Sequence, residues 1–141
     1  MGIAYADVTL ANVSDIIRSK LGEIKPEDVR KVQIHAMVDS GSTFLAINET
    51  IRNQLGLPIT RTTSCKLADG SLMEMPVVPG IKIYFENREA ECEAVVFPGD
   101  TLPLLGALAM EAMDTVIEMR TGHERLVVNP EHPDRPQYML K

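Results

Sequence analysis

Nine glycines and nine prolines are scattered along 141 residues, and the apolar residues between them come in short runs. Such punctuation leaves little room for long helices and fits many short strands joined by turns. The segment 31–38 shows the period most clearly. Val32, Ile34, Ala36 and Val38 alternate with Lys31, Gln33, His35 and Met37, the period of two of a half-buried strand. The same logic predicts strands over 3–10, 44–47, 60–67, 71–78, 81–85, 92–97, 116–120 and 125–128. Asp69-Gly70 should supply the positive φ angles of a tight hairpin turn, and Thr121-Gly122 should join the last pair. Three short helices are expected. One covers 14–21, capped by Ser14, with Ile17 and Leu21 on one face and Gly22 as terminator; another runs from an Asn48 cap to Leu55 and stops at Gly56. The third lies within 104–113, where Met110 and Met113 read as core. Pro130, Pro133 and Pro136 exclude helix and central strand from 129–141, leaving an extended tail after one domain, 1–128.

Charge and composition remove several classes of function. The net charge is −6, with no cluster of Lys or Arg, so phosphate neutralisation on a nucleic acid is not expected. Only 4% of residues are aromatic and none is tryptophan, a poor stacking surface for single strands. The longest mostly apolar stretch, 102–110, is too short for a membrane span and contains Pro103 and Gly106. The opening residues have neither the basic flank nor the apolar core of a signal peptide, so a reducing cytoplasm is the expected compartment. Cys65 and Cys92 are too few for a metal site of their own, and pairing between them is possible without being implied. His35, His123 and His132 lack zinc-ligand spacing, and no cofactor is expected. The stretch 86–93, acidic with Arg88 inside it, reads as a solvated turn.

One short segment points to chemistry. Val38-Asp39-Ser40-Gly41-Ser42-Thr43 places a carboxylate on a tight loop at the end of an apolar strand. A bare Asp-Ser/Thr-Gly arises by chance in roughly one chain in ten or twenty of this length. By itself it is equally a β-turn in which Asp39 caps its own loop and Gly41 supplies an unusual φ. Its setting adds information: an alternating strand precedes it, Phe44-Leu45-Ala46-Ile47 follows, and Leu104-Leu105-Gly106 answers it before a helix. Leu105-Gly106 could also be no more than a closely packed helix entry, and the Asp-Gly hairpin between them no more than a surface turn.

With AMVDSGSTFLAI, QLGL, KLADGSLMEMPV, PLLGALAMEAM and the tail NPEHPDRPQYML, the chain from Ala36 onward resembles the retroviral-type (retropepsin-like) aspartic proteases. It resembles their single-domain bacterial and archaeal relatives more closely than the viral members. The resemblance implies an all-β, retropepsin-like closed barrel with a short helix before the C-terminal strands. Residues 12–30 make a longer connection than the family places between its first two strands, a possible insertion. The resemblance also implies that Asp39 is the catalytic carboxylate and that Ser40, Gly41 and Ser42 support its loop. Leu67, Ala68, Asp69, Gly70 and Ser71 would form a flap over the substrate, and Leu105 and Gly106 would pack beside the site. Viral members carry Arg just past that second motif; Ala107 stands there in this chain.

The residue types suit amide hydrolysis. Two carboxylates about 3 Å apart cannot both ionise near neutrality, so they share a proton and serve as base and acid together. This chain supplies one such carboxylate. Asp100-Thr101 and Asp114-Thr115 lack the glycine, and Asp69 lacks the hydroxyl residue. An enzyme of this kind would be a twofold homodimer acting on a peptide or protein substrate. The alternative is a catalytically weak dimeric peptide-binding or assembly module on the same fold.

Overall fold

The computed structural model describes residues 3–120 and 122–140. Met1, Gly2 and the Thr121 half of the expected 121–122 turn lie outside the described residues. The elements are β1 (Ala4–Asn12), α1 (Val13–Lys20), β2 (Lys31–Val38), β3 (Leu45–Asn48), α2 (Glu49–Leu55), β4 (Arg61–Lys66) and β5 (Leu72–Phe85). They continue with β6 (Arg88–Phe97), β7 (Leu104–Leu105), α3 (Ala107–Ala112), β8 (Thr115–Glu118) and β9 (Arg125–Val128). The architecture is all-β, with the short α3 before the C-terminal strands. No helix among the described residues is long and apolar enough to cross a membrane.

Strands β1-β2-β7-β3-β6-β5 pair in that order, and β5 returns to β1, closing a ring. Neighbours are antiparallel except β2–β7 and β3–β6, which are parallel. Inward residues fill the ring: Leu10 of β1, Ile47 of β3, Ile81 and Ile83 of β5 and Leu105 of β7 are all fully buried. Met110 and Met113 join this core, as their helical spacing suggested. Strand β4 hangs outside the ring on β5 and, among the described residues, keeps one edge unpaired. Beneath it a second apolar cluster forms on the outer face of the sheet, from Ala46, Met75, Val77 and Val95, with Phe44, Cys65, Phe97 and Leu104 packed against it.

Several local expectations change. The first helix is capped by Asn12, not Ser14: Asn12 Oδ1 accepts from the Asp15 N–H at 3.0 Å, while its Nδ2 donates to Leu55 O at 2.8 Å. Ile17 and Leu21, expected on one helix face, are 54% and 70% exposed. The buried residue of α1 is Asp15, held by Arg30 through both guanidinium and backbone donors. Those hydrogen bonds hold its carboxyl below the usual range. The two runs 71–78 and 81–85 form one strand, because Pro79-Gly80 makes a bulge rather than a break. Only Leu104–Leu105 of the expected third helix is strand, and the helix begins after Gly106.

The largest departure is at Arg88. Expected in a solvated turn, it is 1% exposed. It donates to the carbonyls of Asp114 and His132, and Asn87 donates to those of Pro133 and Asp134. The C-terminal segment is thus tied to the β5–β6 turn instead of trailing free. Its second anchor is Asp114, at φ 53°. The Asp114 carboxylate accepts from Gln137 N–H and Asn129 Nδ2 at 3.0 Å each and lies 2.8 Å from His132 Nδ1. Those donors, Gln137 and Asn129 first, push its pKa down from 3.8 to about 2.

A depressed carboxyl pKa stabilises the fold above the unfolded value, and that stabilisation disappears as pH falls through the folded value. Wild type should therefore protect the Gln137 amide from hydrogen exchange better than Asp114→Asn above about pH 4. The difference should vanish as pH falls toward about 2. A difference independent of pH would show that the carboxylate charge is not what holds the tail.

Candidate active site

The loop from Asp39 to Phe44 is built by backbone before any side chain acts. Strand β2 ends at Val38, and the Ser42 N–H closes a turn on Asp39 O at 3.1 Å. The Asp39 side chain turns back over this loop. Its Oδ1 accepts from the Gly41 N–H at 2.9 Å and its Oδ2 from Ser42 Oγ at 3.0 Å. Both oxygens are thus oriented by donors from the next three residues, and the carboxylate remains partly open to solvent. Gly41 does not adopt a positive φ, so the expected conformational role is replaced by a spatial one. A Cβ there would lie 3.2 Å from Asp39 Oδ1, crowding the carboxylate against its own donor. Ser40 is exposed at the loop apex and, among the described residues, its hydroxyl makes no hydrogen bond.

Leu105 and Gly106 lie directly against the loop. Asp39 N–H donates to Leu105 O at 3.0 Å, Ala107 N–H to Ser42 O at 2.7 Å, and Leu108 N–H to Thr43 O at 3.1 Å. The two segments exchange backbone hydrogen bonds at such short range that a side chain cannot fit between them. A methyl at Gly106 would sit 2.7 Å from Ser42 O and closer still to Phe44 O. This glycine is required for the approach of two backbones and not for its φ.

Beside Asp39 a cleft of about 520 Å³ opens between the loop and the β4–β5 hairpin. That volume falls in the range of ligand-binding clefts. Leu67 and Ala68 of the hairpin line it together with Ser64, Cys65 and Lys66 of β4. Asp69, Gly70 and Ser71 stand at the exposed tip beyond it. The tip is not the tight two-residue turn expected. Gly70 N–H closes on Leu67 O at 2.9 Å, Leu67 N–H donates to Ser71 O at 2.8 Å, and of the Asp69-Gly70 pair only Gly70, at φ 88°, is left-handed. Asp69 Oδ1 accepts from Ser71 N–H at 2.9 Å, which stiffens the tip, and its hydrogen bonds to Ser71 lower its pKa.

The floor of the cleft was not singled out by the sequence. Phe44, Ala46, Val95, Phe97 and Leu104 line it, from strands β3, β6 and β7 and the loop before β3. These residues sit inside nearly continuous apolar runs, where alternation does not reveal which members face outward. Cys65 shares the cleft wall, whereas Cys92 packs against the inner core, its thiol pushed up to about 12 by burial. Both thiols are free.

The contacts at Gly106 make a direct test of the assembly. Gly106→Ala should force the Asp39 loop and α3 apart, costing about 1–3 kcal/mol in chemical unfolding. It should also broaden or shift the Asp39 and Ser42 resonances. Unchanged stability and spectra would mean that the two segments are not locked together.

Residues 23–115 match the model of a family described as aspartyl protease, of the retropepsin-like clan. No individually curated protein matches the chain. The matched span holds the Asp39 loop, the hairpin above the cleft and the Leu105-Gly106 contact, and it covers well over half the sequence. The all-β ring with its short helix before the last strands agrees with that fold. On sequence match and architecture together, this chain belongs to the aspartyl protease family of the retropepsin-like clan.

Proposed function

We propose that the protein is an aspartic endopeptidase whose active site forms when two copies bring their Asp39 residues together at a twofold axis. The observation that supports this most is the presentation of Asp39. Its two oxygens are oriented by Gly41 N–H and Ser42 Oγ, at the side of an open cleft bounded by a hairpin. Family membership supplies the reaction class.

In this reading a water lies between the two carboxylates, one ionised and one protonated. The ionised Asp39 takes a proton from the water as its oxygen attacks the peptide carbonyl carbon, while the protonated Asp39 donates to the carbonyl oxygen. The tetrahedral diol then collapses: the C–N bond breaks as the carboxyl that took the water proton gives it to the departing nitrogen. The other carboxylate takes a proton from one diol hydroxyl, whose oxygen becomes the carbonyl of the product acid, so the pair again shares one proton. The titration belongs to the pair. Ser42 Oγ and Gly41 N–H orient the carboxylate in each copy, and the exposed Ser40 hydroxyl is available to the facing loop. An extended substrate would lie across the cleft under the Leu67–Ala68 side of the hairpin, adding backbone hydrogen bonds of the strand type.

A second reading, a dimeric peptide-binding module with little hydrolysis, draws on Ala107. Only its backbone N–H reaches the loop, and no arginine at that position braces the assembly.

Cleavage of an unfolded protein mixture between about pH 4 and 7 tests the first reading. Asp39→Asn should lower the rate by about 10²–10⁴-fold. Specific activity should rise with protein concentration until the dimer saturates, and a statine-type transition-state mimic should block it. A confirmed dimer that binds the mimic without cleaving any substrate would favour the module. Full activity in Asp39→Asn would end the aspartic mechanism.

A further inference from the structure

The outer face of the ring holds one lateral row of residues that crosses six strands. Register pairs Val77 with Val95, Val95 with Ala46, Ala46 with Leu104, Leu104 with Met37, and Met37 with Tyr5. Residues paired in register point to the same face of a sheet. The first three belong to the second apolar cluster and Leu104 packs against it; Val95, Ala46 and Leu104 also line the cleft. The row does not end at the cleft. It continues past Leu104 to the half-buried Met37 and to Tyr5, which is 44% exposed. Asp39, just past the end of β2 and two residues from Met37, about 7 Å along the chain, lines the same cleft as Val95, Ala46 and Leu104.

Tyr5 is held in place. Its ring stacks on His35 with centroids 5.0 Å apart and an interplanar angle of 8°. His35 Nδ1 in turn lies 2.8 Å from Asp7 Oδ1, on the residue paired with it across the strands. Cross-strand aromatic pairs stabilise a sheet on their own account. What distinguishes this one is its position, at the end of an apolar row that crosses the cleft floor and passes near Asp39. Neighbouring strands are about 4.8 Å apart, so Tyr5 lies within reach of a side chain two or three residues from a peptide bond placed at Asp39.

We infer that Met37 and the stacked Tyr5–His35 pair form an outlying specificity subsite that accepts a large apolar or aromatic side chain of the peptide substrate. This rests on the endopeptidase reading above. A flat, pre-ordered ring beside a flexible thioether offers an offset or edge-on contact to an aromatic ring at little ordering cost. The occupant assigned is substrate because the surface is continuous with the cleft floor.

The test uses a peptide series carrying a non-hydrolysable hydroxyethylene link in place of the scissile bond. Members differ only in having Phe, Ala or Asp two or three residues from that link. Dissociation constants come from calorimetry, and the oligomeric state from sedimentation at the same concentrations. Wild type should favour the Phe member over the Ala member by about tenfold at one of these positions. Tyr5→Ala should reduce that preference to less than about twofold, and Tyr5→Phe should keep it. His35→Ala should weaken it by freeing the tyrosine ring, and the Ala member should bind every variant alike. Tyr5 and His35 are exposed, so these variants should fold.

Binding without a Phe preference, or a preference that survives Tyr5→Ala, would overturn the subsite and leave the peptidase reading intact. Equal weakening of all members with loss of the dimer in Tyr5→Ala would assign the face to a second copy and also overturn it. No binding of any member to wild type would fell the peptidase reading, and the subsite with it.

Discussion

The exchange of backbone hydrogen bonds between the Asp39 loop and the Leu105–Leu108 segment is the contact on which the site depends. A loop joining β2 to β3 would otherwise have little to hold it, since Ser40, Gly41 and Thr43 are exposed and among its side chains only Phe44 packs on an apolar cluster. Three N–H donors, from Asp39, Ala107 and Leu108, fasten it to a segment distant in sequence. Backbone groups in such a place must be paired with something, and pairing them with each other fixes position as well as satisfying them. Gly106 makes the approach possible, and the same contact sets the start of α3. The carboxylate is therefore oriented by its neighbours and located by the ring.

Closure of that ring explains why a sheet with such short members holds together. Strand β7 has two residues, and it would be insignificant alone. Here it lies between β2 and β3, pairing parallel to one and antiparallel to the other, with Leu105 fully buried beneath it. The outer face then acquires a purpose of its own. Apolar side chains on β3, β5 and β6 that do not point into the core make a second cluster, and the β4–β5 hairpin covers only part of it. The uncovered part is the cleft floor. A cleft thus arises from the same strands that build the core, using their other face.

The C-terminal segment is attached by polar contacts in place of strand pairing. Arg88, buried and donating to two carbonyls, and Asp114, accepting from three donors, hold it from both sides. A buried guanidinium is stable in such a place because hydrogen bonds to carbonyl oxygens replace those lost to water. The arrangement joins the β5–β6 turn, the end of α3 and the tail into one unit.

Local features were legible wherever a residue acts through its immediate neighbours. The alternation in β2, the Asn48 cap and Gly56 end of α2, and the carboxylate loop at Asp39 all follow from a few consecutive residues. Ser14 and Arg88 were misread because long-range partners decided their neighbourhoods. Asn12 became the cap while also reaching Leu55, and Arg88 was buried by a tail more than 40 residues away. The sequence alone determined that this is a chain of strands joined by turns, with one Asp-Ser-Gly loop and the motifs of its family. Which apolar residues face the core and which face the cleft was settled only by tertiary structure. In the runs around Ala46 and Val95 both faces are apolar, so the register of strands that meet through parallel pairing had to decide between them.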